Sequence, residues 1–217
     1  MSGRATSLSS SLLLVAVVVL TSAAPSRADE LPDPSYGRVR GDLTLVAGAG
    51  TVVAPRGVRG EVELRARYLD AAGLFVAYED APLFGSGAEP GRVLSAGLEV
   101  RPLFFYRWLQ GHETGMPRLD LLIDSFGLEV GWTLSAPAGE GLSLNGLQAG
   151  LGIEMPILPR ASGPWVGVHG GVRWSDAALA SGQTSDADDL AAYLALTLSW
   201  HEVVLTHLVD LKDEPRR

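Results

Sequence analysis

Apolar and polar residues alternate with a period of two through most of this chain, the spacing of a strand with one apolar face. The clearest run sets Val62, Leu64, Ala66 and Tyr68 against Glu61, Glu63, Arg65 and Arg67. In the same way Leu94, Ala96, Leu98 and Val100 oppose Ser95, Gly97, Glu99 and Arg101, and Phe126, Leu128, Val130, Trp132 and Leu134 oppose Gly127, Glu129, Gly131 and Thr133. Leu147 to Ile153 alternates with Gly146, Gln148, Gly150, Gly152 and Glu154; Val166, Val168, Val172 and Trp174 with Gly167, His169, Gly171 and Arg173. Leu190 to Trp200 alternates with Ala191, Tyr193, Ala195, Thr197, Ser199 and His201. Weaker runs over Leu43–Val53 and Leu74–Tyr78 bring the number to eight.

Turn-forming clusters separate the runs: Pro55-Arg56-Gly57, Asp70 to Gly73, Gly85 to Gly91, Pro137-Ala138-Gly139, Pro156 to Pro164 and Ser181 to Asp189. Many strands joined by turns, without a long helical period, predict an antiparallel meander. Phe104 to Asp124 departs from the pattern, being too long for a tight turn; within it Arg118–Asp124 suits a short helix with Leu119, Leu122 and Ile123 on one side.

Ahead of the first run, Arg4, the apolar stretch Leu12–Leu20 and the small residue Ala28 before Asp29-Glu30 have the order of a secretory signal peptide. Its nine apolar residues are too few for a helix that needs about 20 to cross a bilayer. The expected organisation is a signal peptide over 1–28, with Ala24 as the alternative cleavage point, a linker over 29–41, a barrel over 42–204 and a tail over 205–217. Downstream there is no uninterrupted apolar stretch of helix-spanning length.

Composition narrows the function classes. Cysteine is absent, which excludes a disulfide framework, a thiolate metal site, a thiol nucleophile and a lipid-anchored lipoprotein. The formal charge is -8, against a nucleic-acid partner, which calls for a basic surface. Without residues 1–28 the chain has 15 basic and 25 acidic residues, a charge of -10 over 189 residues.

Alternation alone does not say which face meets water. The polar positions are largely glycine, serine, threonine and alanine, and the whole chain has a single lysine, Lys212. Small residues suit the interior of an eight-stranded barrel, which is only wide enough for side chains to fill it. The ionisable residues of that parity are Glu61, Glu63, Glu99, Glu129 and Glu154 against Arg65, Arg67, Arg101 and Arg173, with His169 and His201 beside them. Near balance of sign is what a packed lumen requires, since an unpaired buried charge is costly. Tyr68, Tyr78, Trp132, Trp174 and Trp200 lie on the apolar parity near the ends of their runs, where a lipid-facing strand carries its interfacial aromatics. A solvated sheet with surface ion pairs is the other arrangement compatible with the same alternation.

From about Asp42 to Val204 the chain resembles the small eight-stranded outer-membrane β-barrel proteins. The resemblance rests on the signal peptide, the eight runs, the aromatic positions and a last strand, Tyr193–Trp200, ending in an aromatic. It implies an all-β, antiparallel up-and-down transmembrane barrel in the outer membrane, with outer-membrane lipid and the barrel-assembly machinery as partners. Members commonly end at that aromatic, whereas 17 residues follow Trp200 here.

No constellation names a reaction. Ser199 and His201 share a parity, but Glu202 points to the opposite face, leaving the histidine without an orienting acid. His201, His207 and Asp210 match no standard metal spacing. Asp186, Asp188 and Asp189 lack the glycine and glutamate of a calcium loop. Gly48/Gly50 and Gly150/Gly152 precede no helix start or Lys-Ser/Thr, so they are not phosphate loops. The expectation is a non-enzymatic barrel without cofactor or metal, whose work is structural, adhesive or scaffolding. The alternative is a soluble periplasmic, lipocalin-like barrel binding a lipophilic molecule.

Overall fold

The computed structural model describes residues 35–55, 57–84, 91–136, 143–175 and 190–206. The expected signal peptide, the first part of the linker and most of the tail lie outside these residues, as do Asp186, Asp188, Asp189, His207 and Asp210.

Eight strands form: β1 (Leu43–Ala54), β2 (Gly57–Tyr68), β3 (Ala72–Phe84), β4 (Arg92–Val100), β5 (Gly127–Ala136), β6 (Ser143–Pro156), β7 (Gly163–Ser175) and β8 (Leu190–Val204). Each pairs antiparallel with the next, and β8 returns to β1 to close the sheet into an up-and-down barrel. The closing seam runs from Leu43 opposite Val204 to Val53 opposite Leu194. Closure leaves no edge strand with unpaired backbone groups.

The pleat sorts residues as the alternation anticipates. Along β8, Leu194, Leu196 and Leu198 are 54, 55 and 59% exposed, whereas Ala195, Thr197 and Ser199 are 1, 2 and 4% exposed. Apolar side chains therefore cover the outer wall, and polar and charged ones fill the centre. Among the described residues, no helix is long and apolar enough to cross a membrane, a fact that has no bearing on strands.

One strand and one turn differ from their expected bounds. Strand β3 begins at Ala72, just ahead of Leu74, and runs on well past Tyr78 to Phe84. The turn before it centres on Leu69-Asp70, not Asp70–Gly73: both residues adopt positive φ (49° and 54°), and Ala71 N–H bonds to Tyr68 C=O at 3.0 Å. Tyr68 pairs with Ala72, so the chain reverses within the three residues Leu69 to Ala71, the first two of them at positive φ. Asp tolerates that conformation better than most residues.

The segment between β4 and β5 folds as two helices, α1 (Pro102–Gln110) and α2 (Pro117–Asp124). Each begins with proline at its first position, where the missing N–H costs nothing. Gly111, at φ 63°, ends α1, and His112 N–H bonds back to Arg107 C=O at 2.9 Å. The α2 helix corresponds to the stretch singled out at Arg118–Asp124. The α1 helix was not anticipated, because its residues Phe104, Phe105, Tyr106 and Trp108 are of types that favour strands.

These helices, the turn 157–162 and residues 35–41 gather at the barrel end where β1 begins and β8 finishes. Residues 35–41, the end of the expected linker, include a 3₁₀ turn at Arg38–Arg40, with Ser35 and Arg38 fully buried. Ion pairing to α2, described below, holds them there.

Candidate functional site

The site is the barrel interior, supplied by alternate residues of all eight strands. Arg65 on β2 is its central crossing: Nε donates to Glu63 Oε2 at 2.9 Å, and NH1 donates to Glu129 Oε1 on β5 at 2.6 Å and Glu99 Oε2 on β4 at 3.0 Å. Arg67 Nε donates to the same Glu99 oxygen at 2.9 Å and its NH2 to Glu154 Oε2 on β6 at 3.1 Å. Arg101 closes the circuit through Nε to Glu99 Oε1 at 2.9 Å and NH2 to Glu154 Oε2. Glu99 thus accepts from three guanidinium groups. Charge-assisted bonds of this kind are shorter and roughly twice as strong as neutral ones. Because they join β2 to β5 and β6, side chains span the bore and plug it.

Two histidines border this network. His169 Nδ1 lies 2.9 Å from Glu129 Oε1 and 3.2 Å from Arg65 NH2. His201 stacks on Trp165 with ring centroids 4.5 Å apart and planes 7° off parallel. Ser199 Oγ is 3.1 Å from His201 Nε2, and Glu154 Oε1 is 3.7 Å from the same nitrogen. A nucleophile and an orienting acid must sit at opposite nitrogens of the base, and here both meet one.

Toward the other end a second group forms around Glu79. Arg59 Nε donates to Glu79 Oε2 at 2.8 Å. Arg173 binds both Glu79 oxygens, donates to Gln148 Oε1 at 3.2 Å and lies over the Tyr193 ring at 4.2 Å.

Of the charged residues expected in the lumen, Glu63, Arg65, Arg67, Glu99, Arg101, Glu129 and Glu154 meet in the first network. Arg173 belongs to the second, and Glu61 is buried opposite Glu79 with Oε2 unpartnered. Tyr68, Tyr78, Trp132, Trp174 and Trp200 all lie on the outward parity, Tyr68 and Trp132 exposed and the other three half-buried. Sequence reasoning missed Arg59, Glu79 and Asp70, and the inward aromatics Phe75 and Trp165. The signal was available: Arg59 stands two residues before Glu61, and Glu79 continues the parity of Phe75 and Ala77. Asp70 reaches in from the turn to within 3.8 Å of Arg67 and 3.7 Å of Arg101.

A separate ion-pair cluster caps the barrel end. Arg38 NH1 donates to Asp124 Oδ2 at 2.5 Å and its guanidinium lies 4.1 Å from the Phe104 ring centre. Arg107 donates to Asp124 Oδ1 and Asp120 Oδ1, both at 2.6 Å. Asp120 also accepts from Tyr36 OH at 2.7 Å and from the N–H groups of Thr114 and Gly115 at 2.8 and 3.1 Å. Burial alone pushes the Asp120 carboxyl up; those hydrogen bonds outweigh it and bring it from 3.8 down to about 2. Burial, with the hydrogen bond to Asp120, raises the Tyr36 hydroxyl to about 12.

Cap and lumen meet at two points. Leu121 of α2, Ala161 and inward Trp165 form one apolar cluster, with Tyr36 and Val203 against it. Pairing of β5 with β6 stops at Gly127 opposite Gly152, leaving Glu154 without a strand partner on that side. The Ser125 hydroxyl takes the strand's place, donating to Glu154 C=O at 2.7 Å and accepting from Glu154 N–H at 2.8 Å.

No protein-family model matches the chain, and no curated protein matches it. The functional reading therefore rests on the geometry alone.

Proposed function

We infer that this protein is a bacterial outer-membrane β-barrel with a charge-plugged lumen and a structural, adhesive or scaffolding role. One observation carries the reading: the two faces of the closed wall are inverted relative to a soluble barrel. Leu64, Leu74, Leu98, Val130, Trp132 and Leu196 stand 55–60% exposed on the outside, while Glu63, Arg67, Glu79, Glu99 and Glu154 are at most 2% exposed inside. Contiguous apolar surface of that kind is rare on soluble monomers, and a closed barrel is the only way strands can cross lipid. A lipophile-binding barrel calls for the opposite arrangement, an apolar interior. An interior braced by side chains from facing strands suits a rigid surface element better than a pore or a reaction vessel. Outer-membrane lipid and the barrel-assembly machinery are the partners this reading requires.

The test is cell-envelope fractionation together with one substitution. Native protein is expected in the outer-membrane fraction, resistant to salt extraction, with an electrophoretic mobility that changes on boiling. Leu196→Arg, near the middle of β8, is expected to destabilise the barrel in lipid by about 2 to 4 kcal/mol. Release by salt, with Leu196→Arg neutral to within about 0.5 kcal/mol as on an ordinary wet surface, would favour the soluble barrel.

A further inference from the structure

The lumen network leaves one group of ligand atoms unused. Glu63 Oε1 on β2, Glu154 Oε1 on β6 and His169 Nε2 on β7 all lie within 4.8 Å of one another. Each is without a hydrogen-bond partner, and the three residues are 1, 0 and 3% exposed. Their other polar atoms are all engaged. Glu63 Oε2 is held by Arg65, and Glu154 Oε2 by Arg67 and Arg101.

The protonation of His169 follows from its neighbour. A carboxylate only accepts, so the 2.9 Å contact between Nδ1 and Glu129 Oε1 calls for the ring proton on Nδ1 and a lone pair on Nε2; Arg65 NH2, 3.2 Å from the same Nδ1, has Glu63 Oε2 as its acceptor at 2.7 Å. That lone pair lies 3.7 Å from Glu154 Oε1. A carboxylate behind a histidine in this way is the usual support of a metal-ligating imidazole. Space is reserved as well: a Cβ on Gly167 would lie 2.9 Å from His169 Nε2, and one on Gly152 would lie 2.5 Å from Nδ1.

Two anionic oxygens and a lone pair facing one another repel. A water molecule has two hydrogens for these three acceptors, whereas a divalent cation satisfies all three. In the network around these atoms Glu63, Glu99, Glu129, Glu154 and Asp70 face Arg65, Arg67 and Arg101, so carboxylates outnumber guanidinium groups by two.

We propose that Glu63, Glu154 and His169 form a buried binding site for a divalent transition-metal cation of the zinc class, stapling β2 to β6 and β7 through the lumen. Imidazole together with carboxylate suits zinc, and bonds of about 2.0 to 2.2 Å put neighbouring tetrahedral ligands roughly 3.3 to 3.6 Å apart; His169 Nε2 and Glu154 Oε1 stand at 3.7 Å, and all three atoms, within 4.8 Å of one another, would draw in around the cation. The ligands come from three strands inside a sealed bore, so the cation enters as the barrel folds. The proposal concerns the lumen alone and holds whichever medium meets the outer wall.

The full chain is refolded in detergent with Zn²⁺ or with a chelator, and metal content is measured after gel filtration. Expected are stoichiometric zinc, a higher unfolding temperature than the chelated form, and an X-ray absorption shell of imidazole nitrogen and carboxylate oxygen. Glu129→Gln should weaken zinc binding about 10- to 100-fold by removing the support behind His169. His169→Gln and Glu63→Gln should abolish it, while His112→Gln on the exposed cap should leave it intact. Folded wild-type protein without zinc, a first shell of water alone, or zinc retained in both ligand variants would overturn the proposal. The absorption spectrum decides on the wild-type chain even if a variant does not refold.

Discussion

The lumen and the cap are built from the same pair of groups, guanidinium and carboxylate, but differ in what surrounds them. In the lumen, Glu99 accepts from three arginines, at 3.0 Å from Arg65 and 2.9 Å from Arg67 and Arg101. The same arginines of β2 reach across the bore to Glu129 on β5 and Glu154 on β6, and these side chains are at most 6% exposed. In the cap, two arginines meet two aspartates, and part of the Arg107 side chain still reaches the surface, at 11% exposure. Paired charges inside a closed wall cannot be rescued by water when a partner is lost; those at its end can be in part. The comparison thus predicts that similar substitutions will have unequal consequences.

The largest effect is expected from Glu99→Leu, which leaves Arg65, Arg67 and Arg101 each short of a carboxylate. Breaking a buried ion pair from one side costs about 3 to 5 kcal/mol, to be read from denaturant unfolding in detergent. A cost below about 1 kcal/mol would mean that water enters the bore as freely as it reaches the cap. Asp124→Asn should cost less, about 1.5 to 3 kcal/mol for bonds to charged groups. It should loosen residues 35–40, measured by amide exchange, while the strands stay protected. Global unfolding in that variant would erase the distinction between the two regions.

The smallest effect is a pH response confined to the cap. The folded Asp120 carboxyl lies at about 2, below its ordinary 3.8, so its contribution is present above about pH 4 and fades as pH falls toward 2. The Tyr36 hydroxyl is raised from 10.0 to about 12, so its contribution is complete below pH 10 and fades as pH rises toward 12. Exchange at Thr114 and Gly115 should follow the acid limb. A flat profile at those amides would show that Asp120 is not what orders the loop.

How much of this was legible depended on periodicity. Residues such as Glu63, Arg65, Glu99 and Glu154 sit on regular alternating runs, where parity alone assigns a side chain to a face. Glu79 escaped because its run was read as ending at Tyr78, and Arg59 because its run was read as beginning at Glu61. The cap was less visible for a different reason. Arg38, Arg107, Asp120 and Asp124 lie on short helical pieces far apart in sequence, and aromatic residues in α1 masked its helical character. The Glu63, Glu154 and His169 cluster has no sequence spacing to recognise, since barrel closure brings its three strands together.

The Ser125 contact makes Glu154 a joint between otherwise separate parts. Its peptide group is clasped from the α2 side, and its carboxylate is gripped by Arg67 and Arg101. Tension applied to the amino-terminal segment travels through Arg38 and Asp124 to this residue and from there into the hoop of strands. The cap therefore behaves as a bolt driven into the cylinder wall, and mechanical pulling should strain β6 before the helices come away.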